Sequence, residues 1–303
     1  MDVFVFQMGK VASTSITQAI TSQGLSAIQT HWLGQEQILG SLNETLLNVD
    51  LDEQTAFRGL DQFINNIRNT RTLLWYKKHH QRDGKKLKVI TLTRDPLNWY
   101  WGHIAQNFDL YGRLMLDWYR QTRLDSDNKR AAGTGEIEEA AVAFHAELFE
   151  TMGRMSNHID DQRFQAEAGR QTQGAPCRFL SHQLMKLRLP TAWFDVTFKP
   201  NLDINVYDTQ LDTVTGTARY ENDYVDVLLI RYEDIDKAIE PMRAFLDTPE
   251  LTLERKNVTS KKKLDIDIKA LKKQAPPTQA ALRKLYESRY CRHFGYATPY
   301  EAQ

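Results

Sequence analysis

The residues Val-Phe-Val-Phe-Gln-Met-Gly-Lys-Val-Ala-Ser-Thr-Ser-Ile occupy positions 3–16 and decide which fold this chain can adopt. The apolar run over residues 3–6 predicts a short, buried β-strand. Small and hydroxylated residues around a single lysine follow it, and Ile16, Ala19 and Ile20 then lie at the spacing of one helix face. The stretch therefore predicts a strand that turns through a polar loop into the start of a helix.

Such a loop is suited to bind an anion. The first amides of a helix have no partner within the helix, and the positive end of the helix dipole points toward them. Lys10 adds a point charge, and amide and hydroxyl donors follow it at Val11, Ala12, Ser13, Thr14 and Ser15. Phosphate or sulfate chemistry is the leading hypothesis. The alternative is that Ser13 or Thr14 only caps an ordinary helix.

The loop differs from the common nucleotide-triphosphate loop. That motif requires a glycine five residues before a Gly-Lys pair, and a Ser or Thr directly after the lysine to hold magnesium. Phe4 occupies the upstream position here, and Val11 follows Lys10. The sequence therefore disfavours a magnesium-dependent ATPase or GTPase, and we expect no metal at this site.

The composition is that of a globular protein with no global charge bias. The chain has 303 residues, with 41% hydrophobic and 26% charged residues, and its 39 basic and 39 acidic residues balance. We expect neither a nucleic-acid partner nor a membrane span, and we expect no signal peptide before the first strand. Cys177 and Cys291 have no metal-ligand spacing. We therefore expect a cytoplasmic protein.

The periodicity along the chain predicts strands that alternate with helices. Strands are predicted at 3–6, 25–30, 88–93, 204–207 and 225–230, and helices at 14–22, within 35–82, after 96, at 235–246 and at 278–293. This alternation indicates one α/β domain over 1–303, with a three-layer parallel sheet. Residues 125–175 are predicted to form an exposed helical insertion, either a lid or a solvated hairpin, and 255–303 a basic C-terminal segment with a helix.

Three strand ends carry polar groups that an open parallel sheet would bring to one edge. They are the loop that contains Lys10, His31 after the second strand, and Arg94 after the third. The planar guanidinium of Arg94 suits a phosphate or carboxylate. Its alternative role is an ion pair with Asp95 or Asp117.

The loop at 7–15 together with Thr-Arg-Asp-Pro at 93–96 resembles the sulfotransferases that use 3′-phosphoadenosine 5′-phosphosulfate. The similarity is greatest to the bacterial group of capsular polysaccharide synthesis proteins, and it extends to residues 203–207, 228–234 and 286–294. The resemblance implies a P-loop-type sheet. It also implies that the loop residues Lys10 to Ser15 hold the 5′-phosphosulfate and that Arg94 holds the 3′-phosphate.

The chain departs from this family at two positions. Ala12 stands where the loop has a glycine, and Gly102 stands where a serine would contact the 3′-phosphate eight residues after the arginine. Loss of that hydroxyl would weaken the cofactor contact by about 1 kcal/mol. Lys261 and Lys262 are a candidate replacement clamp, although a lysine run also suits a solvated face.

The resemblance implies transfer of a sulfuryl group to a hydroxyl or amine of a saccharide or other small acceptor. Lys10 would stabilise the leaving oxygen. His31 is the first candidate for the base, with His103, Glu233 and Glu36 as alternatives. Aromatic residues after Arg94 suit either a sugar or the core. Two other functions stay open: a P-loop phosphotransferase, and a non-catalytic nucleotide-binding protein of glycan assembly.

Overall fold

The chain forms two compact units. Unit 1 comprises Met1–Arg94 and Trp193–Lys256, and unit 2 comprises Asp95–Ala192 and Asn257–Gln303. The computed structural model describes residues 2–31, 33–35, 38–39, 42, 53–124, 133–156, 161–171, 177–254 and 267–299.

Unit 1 contains a five-stranded sheet with the order β2-β1-β3-β5-β4. The strands are β1 (Asp2–Phe6), β2 (Ser26–Thr30), β3 (Leu87–Thr93), β4 (Thr217–Glu221) and β5 (Val225–Arg231). All neighbouring strands are parallel except β4 and β5, which are antiparallel. The α/β class is confirmed as a mostly parallel mixed sheet with flanking helices.

The helices of both units account for most of the remaining described residues. In chain order they are α1 (Ser13–Ser22), α2 (Glu53–Asp83), α3 (Pro96–Arg123), α4 (Thr134–Arg154), α5 (Asp161–Gln171), α6 (Cys177–Trp193), α7 (Lys199–Leu202), α8 (Ile239–Leu246), α9 (Ile268–Gln274), α10 (Gln279–Tyr286) and α11 (Arg289–Phe294). A π-helical segment, Phe194–Phe198, joins α6 to α7.

The core of unit 1 lies on both faces of the central strands. The side chains of β1 from Val3 to Phe6 are fully buried, as a central parallel strand requires. The ring of Phe6 contacts those of Trp193 and Phe198, with centroids 5.0 and 5.7 Å apart. Packing on both faces fixes the end of β1, and the end of β1 in turn fixes the start of the loop that follows it.

Two strand predictions differ from the structure. The strand predicted at 204–207 is wrong, because that segment leads into a 3₁₀ turn at Val206–Asp208. Its apolar residues are buried, and the carbonyl of Val206 accepts from the Tyr220 hydroxyl at 2.7 Å. The edge strand β4 was not predicted, because its alternation of Tyr220 with exposed Arg219 spans too few residues to stand out.

In unit 2, Asp95 caps the amino end of α3. Its carboxylate accepts from the amide of Asn98 at 2.7 Å and from the Tyr286 hydroxyl at 2.8 Å. The backbone of α3 kinks at Asn107, whose side-chain amide donates to the carbonyl of His103 at 2.9 Å. The cap and the following proline explain why a helix begins directly after β3.

The segment 125–175, expected to be an exposed insertion, contains α4 and α5. One face of α4 is buried and packs against α3 and α10 in unit 2. The C-terminal helix predicted at 278–293 is divided into α10 and α11, because Ser288 caps the second helix through the amide of Cys291. None of the described helices is long and apolar enough to cross a membrane.

Candidate functional site

The strand order locates the site at the carboxyl end of β1. The chain leaves β1 toward β2 on one side and returns to β3 on the other, so the order reverses at β1. Ligands of open α/β sheets bind in the crevice at such a reversal. The loop after β1 therefore lies between the ends of β2 and β3, which carry His31 and Arg94.

The loop backbone is left-handed at three positions. Gly9, Lys10 and Ala12 have φ angles of 87°, 56° and 60°. Successive amides in alternating backbone conformations of this kind point into a common concavity, and such concavities bind anions. Lys10 and Ala12 adopt this conformation at a cost of about 1–2 kcal/mol each, because their Cβ atoms crowd the following carbonyl.

The first turn of α1 faces this concavity. Ala12 is the N-cap residue and makes no side-chain cap hydrogen bond, so neither Ser13 nor Thr14 is the helix cap. The leading amides of α1 therefore have no side-chain acceptor from the cap position. Ser13 is buried, Thr14 is exposed and Ser15 is half-buried. This arrangement presents amide and hydroxyl donors beside the charge of Lys10.

Arg94 connects β3 directly to the loop. Its Nη1 donates to the carbonyl oxygen of Lys10 at 2.5 Å. The guanidinium carbon lies 4.5 Å from the ring centroid of Tyr232, which follows β5. The side chain thus lies between two elements of the same sheet edge. Arg94 was predicted to meet the loop, and this contact brings the two motifs together.

His31 lies on the other side of the loop. Its Nδ1 donates to the carbonyl of Gln7 at 2.8 Å, and its Nε2 accepts from the side-chain amide of Gln29 at 3.1 Å. Burial lowers the pKa of His31, the Gln7 carbonyl opposes that shift, and the charge of Lys10 lowers the pKa further. The imidazole is therefore neutral near pH 7, with Nε2 as its basic nitrogen.

The remaining predicted site residues are Gly102, Lys261, Lys262, Glu36 and Glu233. Gly102 lies in the second turn of α3 in unit 2. Lys261, Lys262 and the alternative base Glu36 lie outside the described residues. Glu233 is exposed on the turn after β5.

His103 and the aromatic residues near it belong to the core of unit 2. The His103 ring stacks on Trp99 with centroids 5.4 Å apart, and its Nε2 lies 3.0 Å from the Tyr111 hydroxyl. Tyr100, Trp101 and Trp118 are also buried. Of the two uses open to these aromatics, the structure supports the core.

Sequence reasoning missed three supporting residues. Gln7 is fully buried, and its side-chain oxygen accepts from the amide of Gly9, which fixes the start of the loop. Gln29 holds the basic nitrogen of His31, and Tyr232 supports Arg94. A glutamine directly after an apolar run was the available sequence signal for Gln7. Tyr232 lay inside a recognised pattern but carried no assigned role.

No family model, curated protein or solved structure matches this chain. The site residues form a concave donor set with two cations, Lys10 and Arg94, and a neutral imidazole that contacts the start of the loop. Such a set can bind a dianion and can accept a proton from a neighbouring group.

Proposed function

We propose that this protein is a sulfotransferase that uses 3′-phosphoadenosine 5′-phosphosulfate. The observation that carries the proposal is the hydrogen bond from Arg94 to the carbonyl of Lys10. It joins the loop at 7–15 to the Arg-Asp-Pro motif, the two segments on which the family resemblance rests. Either motif alone is a weak signal. A doubly phosphorylated nucleotide needs cations for both of its phosphates, and the two motifs supply Lys10 and Arg94 at the same end of the sheet.

The residues present fit such a donor. The left-handed loop and the amino end of α1 suit the 5′ end, with Lys10, Val11, Ala12, Ser13, Thr14 and Ser15 as the binding residues. Arg94 suits the 3′-phosphate, because a guanidinium can pair with two oxygens at once. The fold would then be a P-loop-type, three-layer variant of the mixed sheet.

The chain's own residues would have two tasks during transfer. The donor supplies an activated sulfuryl group, so the protein mainly has to orient the partners and neutralise charge. Lys10 balances the negative charge that develops at the 5′ end. His31 Nε2 accepts the proton of an acceptor hydroxyl, which takes the place of the Gln29 amide. A saccharide hydroxyl is the acceptor that the family resemblance suggests.

The first experiment compares unfolding of the whole protein with adenosine 3′,5′-bisphosphate and with ATP and magnesium. A ligand at about 100 times its dissociation constant adds about 2.7 kcal/mol of stability. We expect this gain with the bisphosphate. A gain with Mg-ATP alone would instead favour a phosphotransferase and would contradict the proposal.

A matched pair of variants then tests the site. Lys10→Ala should weaken bisphosphate binding by roughly 10–100-fold, because a hydrogen bond to a charged group contributes about 1.5–3 kcal/mol. Lys85→Ala removes the same charge at the opposite edge of the sheet and should leave binding unchanged.

Bisphosphate binding without sulfuryl transfer to any member of a broad panel of hydroxyl and amine acceptors would favour the non-catalytic alternative.

A further inference from the structure

The amino end of β3 carries a second concentration of positive charge. An open cavity of about 1080 Å³ lies between α2, the connection to β3 and the start of β5. Its basic lining residues are Arg68, Arg71, Lys85, Lys86 and Lys88, and its acidic one is Asp226. Because β3 is about 20 Å long, this cavity is well separated from the loop after β1.

Most of this charge is not neutralised within the described part of the chain. Asp226 accepts two hydrogen bonds from Arg219, at 2.9 and 2.7 Å, and Lys86 pairs with Glu221 at 2.9 Å. Arg68, Arg71 and Lys85 form no ion pair with a described residue. Between Asp61 and Asp83, the sequence of α2 contains neither Asp nor Glu. Because the whole chain has zero net charge, its composition does not reveal this local excess of positive charge.

Large apolar side chains share this surface with the cations. Four of the eight exposed large apolar residues in the described part of the chain lie on α2. We define the outer face of α2 by Ile64, Ile67, Arg68, Arg71, Leu74 and Trp75, which lie three or four positions apart. The opposite face, with Leu73 and Tyr76, is buried. Exposed apolar residues grouped in this way mark an interaction surface.

The combination favours one kind of partner. A soluble polyanion such as a nucleic acid or a sulfated polysaccharide would use the arginines and lysines but would leave Ile64, Ile67 and Leu74 in water. A phospholipid surface uses both, because basic residues contact the headgroup phosphates while apolar and tryptophan side chains enter the acyl boundary. We propose that the outer face of α2 and its cavity bind an anionic phospholipid membrane surface.

The test uses the whole protein and two kinds of vesicle, one of phosphatidylcholine alone and one that also contains phosphatidylglycerol. We expect co-sedimentation with the anionic vesicles only, and weaker binding at higher salt. Among the tryptophans in the described part of the chain, Trp75 is 43% exposed, whereas Trp99, Trp101, Trp118 and Trp193 are buried. Binding should therefore shift tryptophan emission to the blue, and Trp75→Ala should abolish the shift.

Matched variants make the proposal falsifiable. Arg68→Ala with Arg71→Ala should weaken vesicle binding roughly thirtyfold, because each basic residue near an anionic surface contributes about 1 kcal/mol. Arg163→Ala with Arg170→Ala changes the net charge equally on exposed positions of α5 and should have no effect. Leu74→Ser should weaken binding, whereas Leu110→Ser should not, although the two leucines are 56% and 59% exposed.

Several results would overturn the proposal. Equal binding to both vesicles, no binding to either, or full binding by the Arg68 and Arg71 double variant would each contradict it. A dimer in sedimentation velocity that Leu74→Ser dissociates would assign the face to a second copy of the chain. Binding of duplex DNA or a sulfated polysaccharide without vesicle binding would assign the cavity to a soluble polyanion. Far-ultraviolet circular dichroism checks that each variant is folded.

Discussion

The two ends of β3 place cations in contrasting surroundings. At the carboxyl end, Arg94 donates to the carbonyl of Lys10 and lies over Tyr232, while His31 is fixed by Gln7. At the amino end, Arg68, Arg71 and Lys85 line an open cavity and form no ion pair with a described residue. The side chains at the carboxyl end are held in fixed positions, which suits a small anion of defined shape. The second has charge and apolar area but little fixed geometry, which suits an extended negative surface.

The largest difference in bisphosphate binding should appear between a variant that lacks the cation at the carboxyl end of β3 and a variant that lacks a cation at its amino end. Arg94→Ala removes the donor to Lys10 and the contact with Tyr232, so we expect roughly 10–100-fold weaker binding of adenosine 3′,5′-bisphosphate and about 1–3 kcal/mol lower stability. Lys88→Ala removes a hydrogen bond to the carbonyl of Phe245 and a contact with that ring. It should cost about 1 kcal/mol of stability and leave binding unchanged.

Titration calorimetry and urea unfolding of the two variants measure these effects. The Arg94→Lys variant is the control for charge, since it keeps the cation but lacks the planar fork. Its binding should fall between those of the wild type and Arg94→Ala. If Lys88→Ala weakens bisphosphate binding as much as Arg94→Ala does, the two edges are not independent and the comparison fails.

The carboxyl edge was predictable from the sequence because its signals are local. The apolar run before Lys10 and the apolar run before Arg94 each predict a strand followed at once by a polar group. Parallel strands then bring both groups to one edge. Ala12 departs from the glycine of the family pattern, and its left-handed φ of 60° explains why glycine suits that position.

The amino edge could not be predicted in the same way. Its cavity combines side chains from α2, from the connection before β3 and from β5, so Arg68 and Asp226 meet only after folding. The helical pattern of α2 was visible, but exposure of Ile64 and Leu74 is known only once the packed face is known. Likewise, β4 is recognised by its pairing with β5 rather than by its own composition.

A smaller effect on stability is expected from opposite substitutions, alanine to glycine and glycine to alanine, at left-handed positions near the two ends of β3. Ala12 has φ of 60° beside the loop, and Gly84 has φ of 60° beside the cavity. Ala12→Gly should relieve the crowding of a left-handed alanine and stabilise the protein by up to about 1 kcal/mol. Gly84→Ala introduces that crowding and should destabilise it by about 1 kcal/mol, although no atom lies within 4 Å of the added Cβ.

Urea unfolding of both variants measures the two changes, which should have opposite signs. Because the cavity leaves room at Gly84, a loss there reports backbone conformation rather than a clash. Stabilisation by Ala12→Gly with unchanged bisphosphate affinity would mean that the methyl group does not obstruct the anion. If Ala12→Gly destabilises the protein, the left-handed conformation at this position is not a source of strain.

The smallest expected effect is a change in the pKa of His31. It distinguishes the two ends of β3 because their lysines lie at different distances from the His31 ring. The pKa of His31 lies below its ordinary value of 6.5 mainly because the ring is buried, and the Lys10 charge is the least of the three influences on it. Lys10→Ala should therefore raise the pKa of His31 slightly. Lys85→Ala should leave it unchanged, because a charge about 20 Å away along β3 lies beyond the screening length of roughly 8–10 Å.

Nuclear magnetic resonance titration of the His31 ring measures this difference directly. Since the folded-state pKa is lowered, the stability linked to His31 is complete above pH 6.5 and decreases as the pH falls below that value. Lys10→Ala should lessen this decrease, because the protonated ring then meets less repulsion. An equal rise of the His31 pKa in both lysine variants would mean that the field at His31 comes from the whole chain. A rise in Lys10→Ala alone assigns it to the loop, whose cation and imidazole then act as one electrostatic unit.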